Sequence, residues 1–505
     1  MENELSIIEL IRKGGYLLIL ICVLGECIFF FSLPNLLGCL MCFLSWWTFS
    51  HFLKEQIILN HPFAWLFYLS MVLYRYLPLI ATFFDGKPIT YGFEMPYETF
   101  LGEILLFFVQ TLAFYHVVYY GFSFSKLKNF LRKISFFDYF TAKSIWIMGL
   151  IGIIAFFLVR DMGEVQFGDV GGKFLAPLSA MRLIPIVLFF PSLCPIEGKT
   201  ASKRVLWLYL IFLEILSLSG NSREHLIYPI GTYFILYFLQ LVKQRENISA
   251  FVYSARFPLF VILFVVLINL LSVASNSMLL NRSIRKDVTS SELLEHQLKS
   301  FGDKKQQAEE RFSSYNMGWD ETYVDNFMLN RYCNMRITDE TLYYADKLPG
   351  TYELGNPMMR EFFLDRLLAN FPLPIMKILS INIDKRNLDF SEGDYLVAIS
   401  SNSVLVSGYR VASHLGLGLA TFGLLYFPIQ YVLLIILFCL FDTLVDIENG
   451  RIIYSLAGLA VVFEMVGRFR NATGCVSDVG FIQRDYWQNL FLYWITFKVS
   501  TFSRR

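Results

Sequence analysis

The residues of this chain best suited to chemistry are charged groups placed where apolar sequence can least easily hold them. Ser219-Gly220-Asn221-Ser222-Arg223-Glu224-His225 sets an arginine, a carboxylate and a histidine between the apolar runs Leu206 to Leu218 and Leu226 to Leu241. Unpaired charge beside hydrocarbon costs several kcal/mol, so such groups face a cavity, a partner or a ligand. Arg75, Arg182, Glu214, Glu464, Arg468 and Arg470 are also embedded in apolar stretches or at their ends. Arginines converging with fewer carboxylates than they need predict an anionic ligand, a phosphate or diphosphate, whose oxygens the guanidinium fork pairs with in parallel bonds. The structural alternative is internal pairing. Arg75 and Arg182 would each meet Glu214 or Glu464, and Glu464 and Arg468, spaced i, i+4, would satisfy one another. For Arg223 the ligand reading is the stronger one, because it opens a helix, where the dipole disfavours a cation.

His414 stands just before Leu415-Gly416-Leu417-Gly418-Leu419-Ala420-Thr421-Phe422-Gly423. A lone histidine at such a place is more often a snorkelling or capping residue, with general-base catalysis the chemical alternative. His51, His61, His116 and His296 read as packing. Cys39-x-x-Cys42 has zinc-like spacing but no second ligand pair, so no metal site is expected. Cys333 and Cys475 fall outside the apolar runs, and a disulfide between them stands beside the free form as an open alternative.

Composition decides what must position these groups. Of 505 residues 55% are hydrophobic, 17% aromatic and 17% charged, and mean hydropathy is +0.51, far from a soluble average. The reading is an all-α polytopic membrane protein. A net charge of +1 gives no basic face for nucleic acid. A span needs roughly 20 residues to cross about 30 Å. That ruler places spans at 16 to 31, 36 to 49, 62 to 84, 99 to 120, 144 to 159, 175 to 194, 205 to 218, 225 to 242, 257 to 278, 416 to 440, 452 to 467 and 485 to 500. With the N-terminus inside, about 18 basic residues fall in the inner loops against about 7 in the short outer ones, which puts both termini in the cytoplasm.

Three regions follow: 1–278 with nine spans, a hydrophilic insert 279–413 placed outside, and 414–505 with three more. Within the insert, Thr289-x-x-Glu292 reads as a capping box. Pro349-Gly350, Asn356-Pro357 and Pro372-Leu373-Pro374 divide it into short pieces. The embedded ionisable groups map to the middle or outer half of the spans. A transporter would more often show midplane sites and broken helices in paired halves.

This pattern resembles the bacterial oligosaccharide repeat-unit polymerases, the O-antigen polymerase family, with the O-antigen ligases as relatives. The resemblance rests on about twelve spans, a large outer loop before the tenth, the Gly-x-Ser-Arg type motif Gly220-Asn221-Ser222-Arg223, and His414 ahead of a helix ending at Gly423. Asn330-Arg331, Tyr352-x-x-Gly355 and Pro374 to Lys377 are similar to recurring loop features. The histidine is followed by Leu415 where ligase-like proteins commonly have asparagine. The resemblance implies a GT-C-like glycosyltransferase in the bacterial inner membrane, acting at its outer face and needing no metal or other cofactor. Donor and acceptor would be undecaprenyl-diphosphate-linked oligosaccharides, with a chain-length regulator and a flippase as membrane partners. Arg223, Arg182, Arg75, Arg410 and Arg468 would clamp the diphosphate, His414 or Glu214 would take the acceptor proton, and Asn330 and Arg331 would meet the glycan. Ligase activity, or transport of the same lipid without chemistry, are the competing readings.

Overall fold

A computed structural model describes residues 5–161, 170–198, 201–219, 226–280, 295–296, 322–404, 410–448, 450–468 and 474–502. The described chain is mostly helical. Its main helices before the insert are α1 (Ile7–Phe29), α2 (Leu33–Phe52), α3 (Pro62–Phe84), α4 (Pro96–Tyr120), α5 (Ala142–Asp161), α6 (Val170–Ala180), α7 (Lys203–Ser219), α8 (Tyr228–Gln244) and α9 (Arg256–Leu280). The insert contributes α10 (Met335–Asp346) and α11 (Glu392–Ser401) among shorter pieces. After it come α12 (His414–Phe422), α13 (Tyr426–Asp442), α14 (Val462–Gly467), α15 (Cys475–Gly480) and α16 (Tyr486–Phe502).

Local sequence explains where these helices start. Ser6 and Ser32 cap α1 and α2 by accepting the backbone N–H of Glu9 and Asn35, while Pro62 and Pro96 open α3 and α4, where a missing N–H costs nothing. Gly121 ends α4 in the left-handed region. Ser391 and Asp394 form a reciprocal capping box on α11. The predicted box at Thr289 lies outside the described residues.

Among the described residues six helical stretches are long and apolar enough to cross a membrane: Leu33–Phe52, Pro62–Phe84, Pro96–Tyr120, Ala142–Val159, Arg256–Met278 and His414–Asp442. Helix covers most of each of the twelve stretches singled out from sequence, but the others are shorter or carry more charge. α9 shows what surrounds the bundle, since it is apolar all round and only 11% of its most hydropathic window is buried. Leu259 through Val266 are all exposed, a face suited to hydrocarbon and not to water.

Three stretches differ from the continuous helices expected. The 175 to 194 stretch gives way after Ala180 to a tighter 3-10 helix, Met181–Phe189, with Pro177 and Pro185 removing two backbone donors. The 452 to 467 stretch begins in the strand Arg451–Tyr454, and its helix is interrupted at Val461. The 416 to 440 stretch breaks between α12 and α13 at Gly423.

Side-chain ties separate two ends of the bundle. At one end Arg12 donates to the Leu53 carbonyl at 2.6 Å and Arg245 pairs with Glu55 at 2.6 Å. Arg132 makes two bonds to Asp446, a residue on the hairpin of β3 (Val445–Glu448) and β4 (Arg451–Tyr454). Two short parallel strands, β1 (Phe140–Thr141) and β2 (Ile196–Glu197), lie there too. At the other end the insert docks on the loop between α3 and α4. Lys87 meets Asp325 at 3.0 Å, and Asp339 accepts the backbone N–H groups of Glu94 and Met95 at 2.6 and 2.8 Å and the Thr99 hydroxyl at 3.1 Å. Burial pushes the Asp339 carboxyl up to about 6 against the pull of those donors.

The insert shares its core with the helix that follows it. Ile337, Leu348, Met359 and Leu396 pack with Leu417 and Ala420 of α12. The loop before Asn356 also plugs the break at Gly423. Asn356 N–H donates to the Ala420 carbonyl at 2.8 Å and Leu424 N–H to that of Glu353 at 3.2 Å. A Cβ on Gly423 would sit 2.3 Å from Glu353 O, and one on Gly355 2.2 Å from Thr421 O, and both glycines have positive φ. Cys333 and Cys475 are both free and buried, which decides against the disulfide.

Candidate functional site

Arg182 is a deeply buried cation for which no counter-charge lies within ion-pair distance among the described residues. Its backbone is pressed against α5, where a Cβ on Gly152 would lie 2.1 Å from Arg182 N and one on Gly149 2.4 Å from Pro185. Small residues on one helix therefore admit the tight turn of the other. Tyr209 of α7 donates its hydroxyl to the Arg182 carbonyl at 2.7 Å. The guanidinium, 1% exposed by residue, donates from Nη1 to Ser179 O at 2.7 Å and lies 4.8 Å from the Phe156 ring centroid. Its Nε and Nη2 have no hydrogen-bond partner among the described residues.

Arg182 borders a cavity of about 490 Å³ that Glu464, Arg468, Arg484 and Asp485 also line. Arg468, just past the end of α14, stacks its guanidinium 3.9 Å from the centroid of Phe481, and its buried Nε likewise has no partner. Arg484 and Asp485 lie on the π-helical turn Phe481–Asp485 that joins α15 to α16, and they pair with each other at 2.6 Å. The extra residue in such a turn disturbs the regular helical side-chain spacing, which is why π-turns recur at functional sites. Gln488, Asn489 and Tyr493 add neutral polar groups one turn and more along α16. Among the described residues no carboxylate comes within ion-pair distance of Arg182 or Arg468.

Gly220 to His225, and with them Arg223 and Glu224, lie outside the described residues, as does Arg470. Tyr228, five positions after Arg223 in sequence, lines the cavity. The remaining expected site residues lie elsewhere. Arg75 is fully buried and bound to Glu103 at 2.6 Å, with further bonds to Gln110 and the Met71 carbonyl at 2.9 and 2.8 Å. Internal pairing is therefore its role, and its partner is Glu103 in place of the expected Glu214 or Glu464. Glu214 accepts the backbone N–H of Ile230 at 3.0 Å and does not border the cavity. Arg410 is held by Asp394 at 3.0 Å in the insert. Asn330 accepts the backbone N–H groups of Tyr323 and Val324 at 2.8 and 3.1 Å, a turn-closing contact. Arg331 belongs to the short helix Phe327–Tyr332, and its side chain is outside the description.

His414 is 4% exposed and has protein groups at both ring nitrogens: Tyr426 Oη at 2.8 Å from Nδ1 and Asp478 Oδ2 at 3.0 Å from Nε2. Gln430 donates to the same carboxylate oxygen at 2.9 Å. The ring thus ties α12, α13 and α15 together, and it is not among the residues that line the cavity. Sequence reasoning overlooked Asp478, Gln430, Arg484 and Asp485. The last two stood in view as an adjacent Arg-Asp pair at the mouth of the final apolar run, but a span beginning at 485 leaves Arg484 in a loop. Asp478 carried no local signal, because its partners are 48 and 64 residues away.

His61 is bonded to Asp442 at 2.6 Å and His116 to Tyr431 at 2.9 Å. Among the described residues no group of three or more metal-ligating side chains comes together. Comparison of this chain with protein-family models, with curated proteins and with solved structures gives no match.

Proposed function

We propose that the chain is a glycosyltransferase that polymerises undecaprenyl-diphosphate-linked oligosaccharide units at the outer face of a bacterial inner membrane. The single observation carrying this reading is that Arg182 and Arg468, 286 positions apart in sequence, border one cavity while both keep donors without partners among the described residues. A buried cation with unspent donors is strongly destabilising unless an anion completes it. A diphosphate supplies both the charge and the paired oxygens that guanidinium forks fit.

In this reading the remaining short helices also cross the membrane, giving about twelve spans, and the basic end faces the cytoplasm by the positive-inside rule. The acceptor hydroxyl oxygen forms a bond to the donor's anomeric carbon as the bond from that carbon to the diphosphate oxygen breaks. Arg182, Arg468 and Arg223 hold the departing diphosphate, whose growing charge they stabilise more than that of the bound donor. The hydroxyl proton passes to a carboxylate at the cavity, Asp485 or Glu464, in place of His414 or Glu214. A flippase would supply the donor and a chain-length regulator would set the product.

The test is replacement in the native host followed by display of the surface glycan. Deletion is expected to leave lipid A core bearing one repeat, and Arg182→Ala, Arg468→Ala and Arg223→Ala to abolish long chains at normal protein levels. A ladder unchanged by deletion overturns the proposal, and core with no repeat at all points to ligation or transport. Arg182→Lys keeps the charge and loses the fork, so short chains in that variant support two-point contact.

A further inference from the structure

A second cavity lies in a different part of the bundle, between α1, α2, α3 and α8, and the arginine site uses none of it. It encloses about 470 Å³ and is lined almost wholly by apolar and aromatic groups, among them Ile11, Gly14, Trp46, Trp65, Tyr76 and Phe238. Its walls are stiff. Trp65 stacks on Phe238 with ring centroids 5.6 Å apart, and Trp46 stacks on Tyr76 at 4.7 Å. Along α3 the lining runs from Trp65 to Tyr76, a rise of about 16 Å at 1.5 Å per residue. That is close to half of a hydrocarbon core about 30 Å thick. The groove therefore has the depth of one leaflet.

Charge marks one end of it. Ile11 and Trp65 lie toward the basic end of the bundle, and Arg12 and Lys13 follow Ile11 directly. Arg12 reaches across to the Leu53 carbonyl at 2.6 Å, which brings it beside Lys54, and Lys13 and Lys54 are both exposed. The nearby carboxylates do not cancel them: Glu55 is taken by Arg245 at 2.6 Å, leaving, among the described residues, Glu9 and Glu246 against Arg12, Lys13 and Lys54. An apolar slot one leaflet deep, ending at a surplus of positive charge, matches a lipid tail below an anionic headgroup. We infer that this groove is a structural lipid site that takes one acyl chain of an anionic glycerophospholipid from the leaflet at the basic end. The inference is independent of the glycosyl-transfer reading.

Gly14 provides a direct test, because it lines the groove and a Cβ built on it meets nothing within 4 Å. Gly14→Phe carries a ring into the slot from a Cβ position that is clear of protein, and replacing a mid-helix glycine does not weaken α1. The full chain, reconstituted in nanodiscs of phosphatidylglycerol and phosphatidylethanolamine and released into mild detergent, is weighed intact. The wild type is expected to retain about one phosphatidylglycerol, Gly14→Phe to lose at least roughly tenfold of that retention, and the double variant Lys13→Glu, Lys54→Glu to lose the preference for the anionic lipid. Equal retention of phosphatidylethanolamine, or retention unchanged by Gly14→Phe, overturns the assignment. So does displacement of the phospholipid by a polyprenyl diphosphate, which would make the groove part of a substrate path.

Discussion

Arg75 and Arg182 are both arginines almost wholly removed from solvent in the helical bundle, and their surroundings differ in one respect. Arg75 meets a carboxylate, Glu103, at 2.6 Å, and Glu103 in turn accepts the Tyr74 hydroxyl at 2.6 Å. Among the described residues, the Arg182 guanidinium meets Ser179, an aromatic face and a cavity. A buried charge with its counter-charge built in is a structural tie. The same charge left open at a cavity wall is, under the proposed function, the place where an anion binds.

The contrast is most sharply broken by removing one member of each set. Glu103→Ala strands the Arg75 charge, so a loss of about 3–5 kcal/mol is expected, read as a fall in melting temperature or in folded yield. Arg182→Ala removes an unpaired charge, and stability in a ligand-free preparation should hold or rise while chain polymerisation is lost. If Arg182→Ala unfolds the protein as Glu103→Ala does, the two arginines are equivalent and the distinction fails. A smaller effect is expected from Gly152→Ala, whose methyl group would push on the Arg182 backbone. A cost of about 1–3 kcal/mol, together with a drop in activity out of proportion to it, would show that the position of Arg182 matters.

Glu392 of α11 extends the comparison to a buried carboxylate. Burial, opposed in part by Arg366, pushes its carboxyl up from 4.5 to about 8, and its Oε2 has no hydrogen-bond partner among the described residues. The folded chain holds this proton to higher pH than the unfolded chain does. Its stabilising contribution is therefore complete below about 4.5 and is lost as pH rises through about 8. The wild type is expected to lose melting temperature between pH 5 and 9 (~4 units), and Glu392→Gln to flatten that decline. An identical decline in the variant would assign the pH dependence to other groups.

The smallest effect concerns His414. Asp478→Asn is expected to cost about 1–3 kcal/mol by weakening the tie among α12, α13 and α15, with polymerisation falling only in step with folded protein. A null activity in a well-folded Asp478→Asn protein would return His414 to the chemistry.

Helix positions were legible in the sequence because apolar runs end at Ser, Pro and Gly residues whose local chemistry is self-sufficient, as at Ser6, Ser32, Pro62 and Gly121. The division into a basic end and an insert end was legible for a similar reason, since loop charge is a local property. Pairing was not. Glu103 lies 28 residues from Arg75 and Asp478 lies 64 from His414, and a single sequence gives no weight to one distant carboxylate over another. Arg182 and Arg468 could be named individually as embedded cations, but their shared cavity depends on the 3-10 turn after Ala180 and the π-turn at Phe481. Neither departure from regular helix has a periodicity to detect. The break between α12 and α13 was hidden because its cause is the backbone of Glu353 to Asn356, far away in sequence.

That break gives the insert a mechanical grip on the membrane helices. Gly355 and Gly423 interlock backbone to backbone, flanked by the bonds from Asn356 to Ala420 and from Leu424 to Glu353. Only two residues beyond Leu424 comes Tyr426, whose hydroxyl holds His414. Residues 353–356 are therefore joined by contiguous backbone contacts to the segment that carries Tyr426, and through it to His414 and Asp478. Exchanging the insert between related proteins would have to carry residues 349–356 and 420–426 as a single part, since neither half of the joint closes on a foreign partner.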